Sequence, residues 1–390
     1  MSPMTATGPT ITRRHAIAAD TVFDGTELHD GCAVVIEGAD IVALVPRRDL
    51  PAAMPVRDMP EGIWLAPGFI DVQVNGGGDV LFNDTPTPAG IAAIVAAHRR
   101  FGTTGLLPTL ISDTTQKMRT ASAAVTAAAK ACPGVLGIHF EGPFLSPERA
   151  GVHDRAMLRP PAKADLDFLS ARRGGVTLVT LAPECVPPGF IASLARAEIR
   201  VALGHSMASY GETRAAIAEG LSGFTHLFNA MRPLSARDPG PIAAALEEPG
   251  AFYGLIVDGE HVAPAMLRLA LRGAGQAMLV SDAMPPVGGM RQSFMLGDRE
   301  VRMREGRCTT ADGTLAGSAL DMASAVRNCV RLIGTTLPAA LRLAAAAPAA
   351  FLGLGKRLGR LAPGWRADIV ALEPGEIRVL ATWVAGEAAS

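Results

Sequence analysis

Glu141, His205 and His226 are a carboxylate and two imidazoles, each placed at or near the end of a short apolar run. One carboxylate and two neutral imidazoles form a common catalytic zinc set, which leaves a coordination position open for water. Asp282 ends another such run with no Lys or Arg beside it. An unpaired carboxylate there is suited to take a proton from water and return it to a leaving group. Singly, these residues have plainer readings: a lone His at a strand end is more often a hydrogen-bonded structural group, and Asp282 alone would be an N-cap or turn residue before Pro285-Pro286. Convergence of all four on one mouth is what makes them a site. Of the 8 histidines, five (His139, His153, His205, His226, His261) lie at or just beyond expected strand ends, whereas His15, His29 and His98 read as surface or packing residues. His139 sits two residues before Glu141 on the same strand face, and reads as a core residue or a support behind the ligands rather than as a ligand itself.

The elements that must bring these groups together recur along the middle of the chain. Eight apolar runs end in polar or Gly-rich turns: 68–74, 104–110, 135–140, 176–181, 200–203, 223–227, 253–257 and 277–280. Segments between them, such as 89–99, 114–131, 209–218 and 264–271, carry apolar residues at three- and four-residue spacing and predict helices. Eight β-then-α units over about 290 residues match a (β/α)8 TIM barrel, whose sites lie at the C-terminal ends of the strands. A doubly wound open sheet is the alternative, but no G-x-G-x-x-G turn follows the first strand. Met290–Arg307 reads as an inserted hairpin after the eighth strand. Both ends of the chain differ from this middle: residues 10–66 and the final thirty or so carry short β runs split by turns, such as Gly38-Ala39-Asp40. The expected fold is therefore α/β, with a barrel over 67–357 and a small discontinuous β-sandwich domain from 1–66 and 358–390.

Composition narrows the class of function. With 390 residues, 49% hydrophobic, the chain can bury a large core, and a formal net charge of -1 without a basic cluster argues against nucleic acid or an anionic membrane as partner. Only 4 of the 36 basic residues are Lys, which reads as coding bias and not as a phosphate-binding surface. The 5 cysteines are dispersed with no C-x-x-C pair, which fits a reducing cytoplasm. Arg13-Arg14 precedes a stretch too short and polar for twin-arginine export, and the Ala-rich stretch 341–355 is broken by Pro348, short of the ~20 apolar residues of a membrane span.

Several motifs carry a family resemblance. Pro67-Gly68-Phe69-Ile70-Asp71-Val72-Gln73-Val74-Asn75-Gly76, His139-Phe140-Glu141-Gly142-Pro143-Phe144, Leu181-Ala182-Pro183-Glu184, Gly204-His205-Ser206, Thr225-His226-Leu227-Phe228-Asn229-Ala230-Met231, Asp258-Gly259-Glu260-His261-Val262 and Ser281-Asp282-Ala283 occur in this order. Together they resemble the N-acetylglucosamine-6-phosphate deacetylase family of the amidohydrolase superfamily, over nearly the whole chain.

The resemblance implies metal-dependent removal of the acetyl group from an N-acetylhexosamine 6-phosphate, with Glu141, His205 and His226 as metal ligands and Asp282 as general acid/base. It also implies that His153 polarises the acetyl carbonyl, that Asn229, Ala230, Arg237 and His261 hold the sugar phosphate, partly across a homodimer interface, and that Leu315-Ala316-Gly317 lines the pocket. Arg237 offers a bidentate partner for phosphate, although beside Asp238 it also reads as half of a solvated pair. Many amidohydrolases place His-x-His at the end of the first strand for a second metal; here Gln73 and Asn75 stand at those positions, and amides are poor ligands for a zinc-type ion. The expectation is one divalent ion per subunit, Zn2+ ahead of Fe2+, Mn2+ or Co2+. Deacetylation of N-acetylgalactosamine 6-phosphate is the near alternative. A catalytically silent protein of the same fold is the remote one, since all four catalytic residues are present.

Overall fold

The computed structural model describes residues 14–171 and 173–388. Arg13 of the arginine pair, residues 1–13 and 389–390 of the expected β domain, and Arg172 fall outside them.

The eight apolar runs are the eight strands of one parallel sheet: β1 (Phe69–Val74), β2 (Thr103–Ile111), β3 (Gly137–Glu141), β4 (Val176–Leu181), β5 (Arg200–Leu203), β6 (Gly223–Phe224), β7 (Phe252–Leu255) and β8 (Gln276–Leu279). They pair in sequential order from β1 to β8. Strands covered on both faces lose the polar alternation of half-exposed ones, and β1 and β2 are buried at every position. Helices that follow the strands start where side chains can cap their free N–H groups. Thr87 accepts from Gly90 N before Pro88–Arg99, Thr114 from Lys117 N before Thr115–Ala131, and Ser209 forms a capping box with Glu212 before Tyr210–Ala218.

The barrel closes at its mouth. Val74 bridges Ala283, and Asn75 N donates to Ala283 O at 2.9 Å, while Asp282 N donates to Gln73 O at 3.1 Å. Deeper in the seam the carboxylate of Asp71 stands in for a ladder partner, accepting N–H bonds from Gln73 (3.1 Å) and Ser281 (3.3 Å). Its other oxygen is buried without a partner, and burial pushes the Asp71 carboxyl up to about 7. The closure thus sets Gln73, Asn75 and Asp282 side by side. Between β3 and β4 the backbones approach so closely that a Cβ on Gly137 would lie 1.9 Å from Val176 O.

Strands from both ends of the chain build a separate β module. In its eight-stranded sheet Ile369–Glu373 pairs antiparallel with Trp64–Pro67, which in turn runs parallel to His15–Phe23. Ile17, Val34, Ile36, Leu65, Ile369 and Trp383 share one buried cluster, so each end of the chain needs the other to cover its apolar face.

The insertion after β8 is larger than the expected hairpin. Ser293–Leu296, Arg299–Arg304, Arg307–Thr310 and Leu315–Ser318 form a four-stranded antiparallel sheet. It extends past Arg307 because Leu315–Ser318 both pairs with Arg307–Thr310 and returns to the barrel mouth, where Ser318 N donates to Asp282 O at 2.9 Å. Val301, Cys308, Ala316 and Met284 are buried together beneath it. The Ala-rich stretch near the end of the barrel forms two short helices, Leu337–Ala344 and Ala346–Phe351. Among the described residues no helix is long and apolar enough to cross a membrane.

Candidate active site

Glu141 closes β3, while His205 and His226 stand just past β5 and β6. Glu141 Oε1 lies 3.1 Å from Nε2 of each histidine, and the two Nε2 atoms are 3.1 Å apart. The ligand edges of a tetrahedral zinc site with bonds of ~2.0–2.1 Å are about 3.3 Å long, so this triangle fits such an ion. His205 Nδ1 meets the Arg149 carbonyl oxygen at 2.7 Å and donates to it, which leaves the lone pair of Nε2 aimed at the triangle. Burial opposes ionisation of Glu141, but its contacts with His205 and His226 outweigh that and hold the carboxyl well below its usual range.

Three of the mouth residues bend the chain unusually. His205, His226 and Asp282 have φ of 49°, 34° and 53°. Left-handed backbone at non-Gly residues costs ~1–3 kcal/mol each and persists where the surroundings enforce it. Here it turns the chain abruptly at the ends of β5, β6 and β8, so that each functional side chain points into the mouth instead of continuing the strand.

The carboxylates are tied together by amides. Gln73 Nε2 is within reach of both Glu141 oxygens (3.3 and 3.2 Å) and of Asp282 Oδ1 (3.1 Å), and Asn75 Nδ2 donates to the same Asp282 oxygen at 2.6 Å. Ionised carboxylates only accept, which sets both amides with their NH2 groups inward. The Gln73 amide thus donates to both acids and spans the space between them. Burial and the neighbouring Glu141 push the Asp282 carboxyl up to about 6, within reach of neutral pH.

His153 is hydrogen-bonded differently. Its ring is near enough to Glu141 and His205 to make a loose donor group within 4.8 Å, but its hydrogen bonds disfavour ligation. Ser112 N donates to His153 Nδ1 at 3.2 Å, with Ser112 Oγ 2.8 Å from the same nitrogen. An Nδ1 that accepts a backbone N–H leaves the ring proton on Nε2, making that nitrogen a donor. Burial, then His205, pushes the His153 imidazole down to about 3, so the ring stays neutral. His139 is occupied on both nitrogens, by Thr109 Oγ1 at 3.2 Å and Thr180 Oγ1 at 2.7 Å, and serves as buried support.

These groups open onto a cavity of about 520 Å3. Asn75, Glu141, His153, His205, His226, Asn229, Ala230, His261, Asp282, Leu315 and Gly317 all line it. Ala316 is buried behind the wall. Arg237 is brought elsewhere: it is exposed and outside this chain's own cavity, while its neighbour Asp238 pairs with Arg232 at 2.6 Å. Sequence reasoning missed Ser112, which acts through a backbone group that every non-proline residue has. It also missed Arg149 and Arg307, which line the cavity from surface positions that carry no pattern.

Comparison with known proteins follows the same outline. Residues 64–388 match the Amidohydrolase family. The chain is 44% identical over 328 residues to N-acetylgalactosamine-6-phosphate deacetylase of Shewanella sp. (strain ANA-3), covering 83% of this chain and 82% of the relative. It is 39% identical over 342 residues to N-acetylglucosamine-6-phosphate deacetylase of Bos taurus, covering 84% and 83%. The crystal structure of N-acetylglucosamine-6-phosphate deacetylase from Pasteurella multocida superposes with a TM-score of 0.93 at 34% identity, over 96% of this chain and 99% of that one.

Proposed function

The chain belongs to the amidohydrolase family, and on that premise we propose that it hydrolyses the acetamido group of N-acetyl-D-glucosamine 6-phosphate to D-glucosamine 6-phosphate and acetate. One observation carries the reading: the Glu141–His205–His226 triangle, the donor face of His153 and the carboxylate of Asp282 all border one cavity.

In this reading Glu141, His205 and His226 hold one divalent ion per subunit. Two nitrogens and one oxygen support Zn2+ ahead of Fe2+, Mn2+ or Co2+. When bound, such an ion makes water a nucleophile near neutral pH and polarises a carbonyl. Asp282 accepts the proton that water loses as it attacks, and later delivers it to the amine nitrogen, which leaves badly unless protonated. Gln73 and Asn75 keep the Asp282 carboxylate oriented for both transfers. His153 Nε2–H donates to the acetyl oxygen as negative charge develops there. Asn229, Ala230, His261 and the Leu315–Gly317 segment bind the sugar phosphate and orient it.

The position of Arg237 outside its own chain's cavity supports a homodimer in which a second subunit supplies it. Five free cysteines support a reducing cytoplasm. We also assign residues 67–357 to the catalytic domain and the described residues of 1–66 and 358–390 to the accessory β domain.

Acetate release by fully metallated Asp282→Asn tests the assignment. A fall of about 10²–10⁴ in kcat is expected, and near-normal turnover overturns it. The 44% identity to the Shewanella deacetylase favours N-acetylgalactosamine 6-phosphate as a second reading; kcat/KM on the two epimers separates them.

A further inference from the structure

The cations on the cavity wall of this chain are few. Among the described residues, the guanidinium groups that line it belong to Arg149 and Arg307. Arg149 is already committed: its Nε meets Met207 Sδ at 3.0 Å, and its carbonyl oxygen holds His205. Arg307 comes from the inserted sheet, directly after the Glu305-Gly306 turn, where both residues have positive φ (52° and 80°). Such a two-residue turn matches the twist of the strands it joins and sets their register, and so the face from which Arg307 projects. Nε of Arg307 lies 3.0 Å from Glu260 Oε2, in the loop that follows β7. Glu260 precedes His261, whose Nδ1 is anchored on Asp258 Oδ2 at 2.6 Å and whose ring also lines the cavity.

We propose that Arg307 is a specificity residue for phosphorylated substrates, its guanidinium exchanging part of its contact with Glu260 for the phosphate dianion. This rests on the sugar phosphate reading above. The ion pair is half exposed, with side-chain accessibilities of 48% and 39%, and exposed pairs contribute little, so little is lost in the exchange. A guanidinium has five N–H donors in a planar fork, and Nε makes the nearest approach to Glu260; the two terminal nitrogens carry the other four donors, which suit phosphate oxygens. A dianion also attracts the group more strongly than a single carboxylate does. Glu260 then acts as a keeper that holds the long side chain at the rim before substrate arrives.

The test compares Arg307→Ala and Glu260→Gln, both surface variants, with the wild-type metalloenzyme on N-acetylglucosamine 6-phosphate and on unphosphorylated N-acetylglucosamine. For Arg307→Ala, KM for the phosphorylated sugar should rise about tenfold to a hundredfold, the range of one lost charge-assisted hydrogen bond. Its kcat and its kcat/KM for the unphosphorylated sugar should stay at wild-type values. Glu260→Gln should leave KM for the phosphorylated sugar equal or lower. The proposal is overturned by an unchanged KM in Arg307→Ala, by equal losses on both sugars, or by a Glu260→Gln that mimics Arg307→Ala, since that would make the pair a structural clamp. A wild-type protein inactive on both sugar phosphates refutes the functional reading instead. Calorimetric titration with inorganic phosphate then decides Arg307 separately: Arg307→Ala must bind it more weakly than wild type, and equal binding refutes the proposal.

Discussion

Replacing His153 separates a hydrogen-bond donor from a ligand or a base. The ring is 3% exposed, and Ser112 N–H at 3.2 Å reserves Nδ1, so its chemistry is carried by Nε2–H. Removing one donor to a developing oxyanion typically costs ~3 kcal/mol, or about 10²–10³ in kcat. His153→Ala should fall in that range. Its KM should change far less, because a ground-state amide oxygen accepts more weakly than the oxyanion it becomes. His153→Gln places an amide NH2 near the former Nε2 and should recover part of the loss. Since the imidazole is held near 3 by burial and His205, it is neutral across the working range, and the pH profile of kcat should keep its shape in His153→Gln. The assay is acetate release at saturating and limiting substrate, with bound metal measured for each variant. Loss of metal in His153→Ala would make His153 a ligand, and a displaced acid limb in His153→Gln would make it a titrating base; either result refutes the donor role.

Two further outcomes bear on the barrel. Asp71 titrates at about 7 in the fold because it is buried, against ~3.9 for an unfolded Asp. Between those values the native state holds a proton that the unfolded chain has released, so stability from this group is fully present below the unfolded value and is lost as pH rises through the folded one. Asp71→Asn should therefore gain stability relative to wild type from about pH 5 to about pH 8, by roughly 2–3 kcal/mol, in urea unfolding at both pH values; parallel curves would show that the carboxyl is ionised in the fold. Gly137→Ala should cost at least ~3 kcal/mol or fail to fold, because its Cβ would meet the Val176 backbone at 1.9 Å. A soluble variant with a wild-type melting temperature would disprove that close approach.

Much of this architecture is legible in the sequence because buried parallel strands are written as unbroken apolar runs, as in Phe69–Val74 and Thr103–Ile111. The candidate ligands were legible for a related reason: a polar side chain directly after such a run has no face of the sheet to occupy and must project from its end. Other parts leave weaker traces. Asp71 lies inside an apolar run, and its seam role depends on β8, about two hundred residues later. Leu315–Ser318 is small and Gly-bearing, so it reads as loop until its partner Arg307–Thr310 is seen beside it. Arg237 has the chemistry of a phosphate ligand, yet residue type does not reveal which cavity it serves.

The left-handed corners at His205, His226 and Asp282 bear on how such an enzyme can change over time. Each functional group is aimed by a corner just past the end of its strand, before the longer connection begins, so the connections can lengthen without redirecting the chemistry. After β8 a whole four-stranded sheet has been spliced in, and the chain returns to the Asp282 carbonyl through Ser318 as if nothing had intervened. Reaction chemistry and substrate choice are thereby carried by separate parts of the chain: the corners aim the hydrolytic groups, while the inserted sheet carries Arg307, the residue proposed above to select phosphorylated substrates.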